Sequence, residues 1–245
     1  MPVPPALQDA DDVVIRESAR ARRLLLRVHD SAQVEIVVPR GTPLGLVDAF
    51  VSAHLAWIAQ RVARARALAR PPEAFPPATI SLASIGEHWQ LQHREDAGGW
   101  RVREAGDGCL QLRGSGSEAA CKAALRRWLV RRGEQVLVPW LQELAVEHGF
   151  DHGAVRLRVQ RTRWGSCSSR GAISLNLALL FQPPPLLRYV LLHELAHTRH
   201  HDHSPRFWAL VAQCEPDYRR LDAQLRREGW RNVPQWLRPA RRLPS

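Results

Sequence analysis

Three observations predict an α+β fold with a β-rich N-terminal part and a helical C-terminal part. The opening half holds short runs of period two, among them Leu24, Leu26 and Val28, then Val34, Ile36 and Val38. The closing half holds apolar stripes at the helical period, such as Leu125, Trp128, Leu129, Val136, Trp140 and Leu144. Finally, Tyr189 to His197 reads as an apolar helix carrying two imidazoles and a carboxylate, groups that need partners once buried.

The elements follow in chain order. Residues 1–12, proline-rich and then acidic, are expected to be loose. A first part is expected over 13–114. Val13 to Val38 suits a β-hairpin turning at Asp30-Ser31. Thr42 and Pro43 then suit the cap and first turn of a helix reaching about Ala69. Its core stripe would be Leu46, Phe50, His54, Trp57, Ile58 and Val62, which makes His54 a packed residue rather than a ligand. Pro71-Pro72 to Pro76-Pro77 reads as a linker. Ile80 to Leu82, Trp89 to His93, Trp100 to Arg103 and Leu110 to Leu112 are expected as short strands between glycine-rich turns. Core packing is the simpler use of Trp89 and Trp100, although either ring could stack on a base.

A second part is expected over 115–230. Ser115 and Glu118 fit a capping box, and Pro139 should kink or split the helix that follows. Arg126, Arg127, Arg131 and Arg132 read as its solvated face. Val155, Leu157 and Val159 alternate as a strand, and the Trp164 to Gly171 loop leads into a second strand, Ile173 to Leu177. Pro183-Pro184-Pro185 opens the His-bearing helix. A last helix is expected from Phe207 to about Glu228, ended by Gly229, before a basic tail over 231–245.

His193 and His197 are four residues apart, so on a helix they share a face and can grip one metal ion, with Glu194 beside them. A third ligand must come from beyond the helix. An unbroken helix would carry His200 or His201 roughly 10–12 Å along the axis from His193, too far for one ion. The chain has to turn back, and Ser204-Pro205 is a good start for a new helix, which leaves His203 as the preferred third ligand and His200 as the runner-up. Three neutral imidazoles on Zn²⁺ leave a position for water, whose pKa falls towards about 7, and Glu194 would act as general base. A polar group orienting the imidazoles is expected, and Asp202 is a weak candidate for it.

Composition bounds the class. The 245 residues are enough for a substantial core, and no run of about 18 apolar residues or signal-like start appears, so a cytoplasmic protein without membrane association is expected. Cys109, Cys121, Cys167 and Cys214 lie far apart, which argues for free thiols. The net charge of +11 is almost all arginine. It favours polyanionic partners, but the arginines are scattered, so nucleic acid is only weakly supported.

Taken together, Arg163-Trp164-Gly165-Ser166-Cys167-Ser168, Ile173-Ser174-Leu175-Asn176, His193-Glu194-Leu195-Ala196-His197 and His203-Ser204-Pro205-Arg206-Phe207-Trp208 resemble the YgjP-like metallopeptidases, a family similar in motif to the SprT-like and WLM zinc proteases. The likeness extends more weakly to Val37-Val38-Pro39-Arg40-Gly41 and Trp57-Ile58. It implies a zincin-like fold with a zinc-binding C-terminal part, ligands His193, His197 and His203, and a catalytic Glu194. It also implies that the Trp164 to Ser169 loop lies near the site, where an edge strand could hold a peptide by β-augmentation. Arg163 and Asn176 would either meet substrate or simply close the hairpin. The function expected is a zinc-dependent peptidase acting on peptides or proteins. Two alternatives use the same site: hydrolysis of a nucleotide phosphoanhydride, and a protease module associated with DNA.

Overall fold

β3 (Val34–Pro39) is the centre of the first sheet, with β1 (Val13–Ser18) parallel on one side and β2 (Leu25–Val28) antiparallel on the other. The computed structural model describes residues 13–29, 32–67, 71 and 73–238. The expected hairpin is β2 with β3, closed by a 2.8 Å hydrogen bond from the His29 amide to the Gln33 carbonyl, while the turn residues Asp30 and Ser31 lie outside the described residues. The parallel addition of β1 was not foreseen.

Two helices follow where one was expected, α1 (Leu44–Ala53) and α2 (Leu55–Ala67), and the chain breaks at His54 with φ −114° and ψ 8°. Thr42 does not cap α1. Its hydroxyl donates to the Pro39 carbonyl at 2.7 Å, and Pro43 holds the cap position. The buried face is Val47, Val51 and Ile58 against Val34, Ile36 and Val38. His54 is exposed, as are Leu46 and Trp57 at 60% and 38%. On α2 the expected Ile58 and Val62 do pack on the sheet, while on α1 the β-branched Val47 and Val51, each one position after Leu46 and Phe50, take the buried face.

The chain divides into two compact units between Pro71 and Pro72, inside the proline-rich stretch. The second sheet therefore belongs with the later unit, not with β1–β3. It consists of β4 (Thr79–Leu82), β5 (Glu87–Arg94), β6 (Arg101–Glu104) and β7 (Cys109–Arg113) in the order β4-β5-β7-β6. Its buried face presents Ile80, Leu82, Leu110 and Leu112, and Trp89 meets Trp128 edge-on at 5.6 Å.

Trp128 lies on α3 (Glu118–His148), a 31-residue helix. Ser117 rather than Ser115 caps it, accepting from the Ala120 amide at 3.3 Å. Pro139 does not split α3: the helix runs through it, with Leu137, Leu141 and Leu144 still buried. A proline forfeits one ladder hydrogen bond, and the packing on either side outweighs that loss. Gly133 permits the closest approach, since a Cβ there would stand 2.7 Å from Leu157 Cδ1.

The third sheet has the order β8-β10-β9, formed by β8 (Val155–Arg158), β9 (Gly165–Cys167) and β10 (Ile173–Asn176). Residues read as loop thus form an edge strand, β9. A 3₁₀ turn at Leu177–Phe181 leads to α4 (Pro184–Ala196), then α5 (Pro205–Cys214) and α6 (Tyr218–Glu228). The single closing helix expected from Phe207 to Glu228 is two, because Pro216 supplies no amide to continue α5. Beyond Gly229, Val233, Trp236 and Leu237 are buried in the core. Among the described residues no helix is long and apolar enough to cross a membrane, and all four cysteines are free.

Candidate active site

α4 starts at Pro184, where a missing amide is harmless, and buries Leu187, Leu191, Leu192 and Leu195 in the core. This packing fixes the helix, and with it His193, Glu194 and, at the C-terminal boundary, His197. The chain then turns back: the amides of Arg199 and His200 both bond the Ala196 carbonyl, at 3.1 and 3.0 Å. Pro205 opens α5, with Ser204 at the cap position, and this geometry returns His203 to the end of α4.

The side-chain nitrogens of His193, His197 and His203 that face one another all lie within 4.8 Å. His193 Nε2 is 3.2 Å from His197 Nε2 and 3.3 Å from His203 Nε2. Phe207 stacks on His197 at 4.4 Å, and Trp208 lies 5.5 Å from His203, so aromatic rings wall the cluster on the α5 side. His200 is not in the cluster. Its backbone contributes instead: the His197 Nδ1 lies 2.9 Å from the His200 carbonyl, and a proton donated there leaves the Nε2 lone pair turned to the other histidines. Asp202 is not the orienter, since it is fully exposed and bonded to Ser204.

A tetrahedral cation with metal–nitrogen distances of ~2.1 Å holds its ligand atoms ~3.4 Å apart, close to both observed separations. The donor set and its spacing therefore fit a divalent metal ion. Burial holds the His193 imidazole down to about 3, helped by the other two rings, so it is neutral. Burial also lowers the His197 value, against a hydrogen bond to the His200 carbonyl. Neutral rings are the form that ligates.

Glu194 is only 5% exposed, and its Oε2 has no hydrogen-bond partner among the described residues. Burial pushes its carboxyl up to about 8, although Arg163 pulls the other way. A Cβ on Gly165 would sit 2.6 Å from Glu194 Oε1 and 2.7 Å from its Cδ and Cγ, so the carboxylate lies directly on the bare backbone of β9. The sequence reading missed this role, although the glycine stands inside the motif Arg163 to Ser168.

The cavity over these groups measures about 530 Å³, and Arg163, Ser166, Cys167, Tyr189, His201 and Arg226 contribute to its wall. Burial pushes the Cys167 thiol up to about 11, with Glu194 adding to it. The Tyr189 hydroxyl donates to Asp222 Oδ1 at 3.1 Å, and Asp222 in turn pairs with Arg226 at 2.9 Å. Asn176 closes the hairpin: fully buried, it donates to the carbonyls of Gln160 and Arg163 at 2.9 and 2.7 Å and accepts from the Ala178 amide at 3.1 Å. Arg163, by contrast, is exposed at the cavity wall.

The chain is similar to the UTP pyrophosphatase of Escherichia coli (strain K12), 31% identical over 70 residues that make up 28% of this chain. That match spans 41% of the relative's length. Among solved structures, the metallopeptidase zymogen of Pyrococcus abyssi abylysin matches at 25% identity and a TM-score of 0.34, covering 38% of this chain and 94% of that one. The zymogen of Methanocaldococcus jannaschii jannalysin matches at 15% identity and a TM-score of 0.34, covering 38% and 95%. The model of the YgjP-like metallopeptidase domain covers residues 22–228, and the chain belongs to that family.

Proposed function

We propose that this protein is a zinc-dependent peptidase in which His193, His197 and His203 hold the ion and Glu194 is the general base. The observation that carries the reading is the convergence of three imidazole nitrogens beside one buried carboxylate. Three nitrogen ligands suit zinc among the common divalent ions. When bound, the ion would supply Lewis acidity, making a water molecule more acidic and a substrate carbonyl more electrophilic. Glu194 takes the proton of the attacking water and passes it to the departing amine. β9 is an edge strand whose residues line the cavity, which supports an extended peptide pairing with it.

The decisive experiment combines metal analysis with a peptide-library digest of the parent and of Glu194→Gln. One zinc per chain in both, with a loss of roughly 10²–10⁴ in kcat/KM in the variant, is the expected result. Full activity in Glu194→Gln would remove the carboxylate from its role.

A second reading has its own support. Arg163 and Arg226 stand at the cavity wall, and the curated relative acts on UTP. Nucleoside triphosphates assayed beside casein would separate the two readings: pyrophosphate release without peptide cleavage selects the phosphoanhydride.

A further inference from the structure

The face of the β4–β7 sheet turned away from α3 carries arginines in register. Arg94 on β5 stands opposite Arg113 on β7, and Arg113 stands opposite Arg101 on β6. Three guanidinium side chains thus lie in one row across three strands, a span of ~10 Å. In the next row on the same face are Gln92, Gln111 and Arg103. All four arginines are exposed, and none forms an ion pair among the described residues.

Several arginines elsewhere do pair with acids, among them Arg132 with Glu87, Arg188 with Glu215, and Arg226 with Asp222. Like charges directly across a sheet are destabilising, and neutral side chains such as those at Gln92 and Gln111 would serve the fold equally well. The uncompensated row is therefore a cost that a polyanion would relieve. Guanidinium forks match phosphate oxygens in shape and charge.

We propose that this sheet face binds the phosphate backbone of double-stranded nucleic acid, independently of the hydrolytic site. No Phe, Trp or Tyr stands among its outward residues, which include Thr79, Ser81, Gln90 and Cys109. Single-strand binding draws on stacking with such rings, and membrane binding draws on apolar insertion, and the face offers neither.

The test is fluorescence anisotropy of a labelled mixed-sequence DNA duplex, titrated with the full chain over a series of salt concentrations. The triple variant Arg94→Gln, Arg101→Gln, Arg113→Gln should bind at least about tenfold more weakly, and its slope of log K against log salt should fall by about 3. Its melting temperature should hold or rise, because a like-charge row is gone. A control with Arg40→Gln, Arg220→Gln and Arg227→Gln removes the same charge from other exposed positions and should keep most of the affinity. The proposal is overturned if the parent does not bind the duplex, if both triple variants lose affinity equally, or if the first binds as the parent does. Tighter binding to single strands, or to phosphatidylserine vesicles, would also overturn it.

Discussion

Glu194 rests on Gly165, and a single methyl group tests that contact. A Cβ at Gly165 would fall inside the van der Waals envelope of the Glu194 carboxylate, at 2.6 Å. The clash reaches from Oε1 back to Cγ, so Glu194 has to turn about its Cα–Cβ bond, a side-chain movement rather than a backbone one. Gly165→Ala is therefore expected to leave the melting temperature within a few degrees of the parent and to cut kcat/KM by about tenfold or more, since misplacing a catalytic group by about 1 Å is costly. Steady-state kinetics beside a thermal melt would check it, and unchanged kinetics would show that β9 does not hold the carboxylate. At this scale the sequence was informative wherever spacing alone decides geometry: the four-residue step from His193 to His197, and the Ser204-Pro205 break that returns His203. It was silent on the His200 carbonyl, because the direction of a peptide group is set by the turn and not by the side chain that names the residue.

Between elements, the Arg132–Glu87 ion pair joins α3 to β5, and the Trp89 indole also donates to Glu87. Burial raises the Glu87 carboxyl, but the hydrogen bonds from Arg132 and Trp89 outweigh it and hold the group below its ordinary 4.5. A depressed carboxylate stabilises the fold above its unfolded value and loses that contribution as pH falls through the folded one. Glu87→Gln should accordingly melt below the parent at pH 7, and the gap should close below about pH 4.5. Thermal melts from pH 3 to 8 would measure it, and a gap that persisted in acid would show that the charge is not the cause. Strands and helices were legible here because period two and period 3.6 differ sharply. Their ends were not. Ser117 displaced Ser115 as the cap, and α3 absorbed Pro139, because long-range packing against the sheet outweighs a local preference.

For the whole molecule, the division between Pro71 and Pro72 places β4–β10, α3–α6 and all three clustered histidines in one unit. A chain beginning at residue 72 should fold cooperatively by itself, and zinc should raise its melting temperature, as expected for an ion that binds only the folded state. Calorimetry with and without a chelator would decide this. An unfolded fragment would show that the first unit is needed for the second. The end of this unit returns to its beginning: the Gln235 amide donates to Glu73 at 2.8 Å, and Trp236 meets Phe75. A basic tail read from the sequence thus contains part of the core, since Val233, Trp236 and Leu237 are spaced too irregularly for any periodicity to reveal them.

The shortness of β9 carries one more consequence. An open strand margin invites copies of the same chain to dock on it and grow into aggregates, and proteins restrain this by trimming such margins. In the proposed peptidase, the three residues Gly165–Cys167 would pair with only a few residues of a substrate polypeptide. That is too little to seed a stack of self-copies.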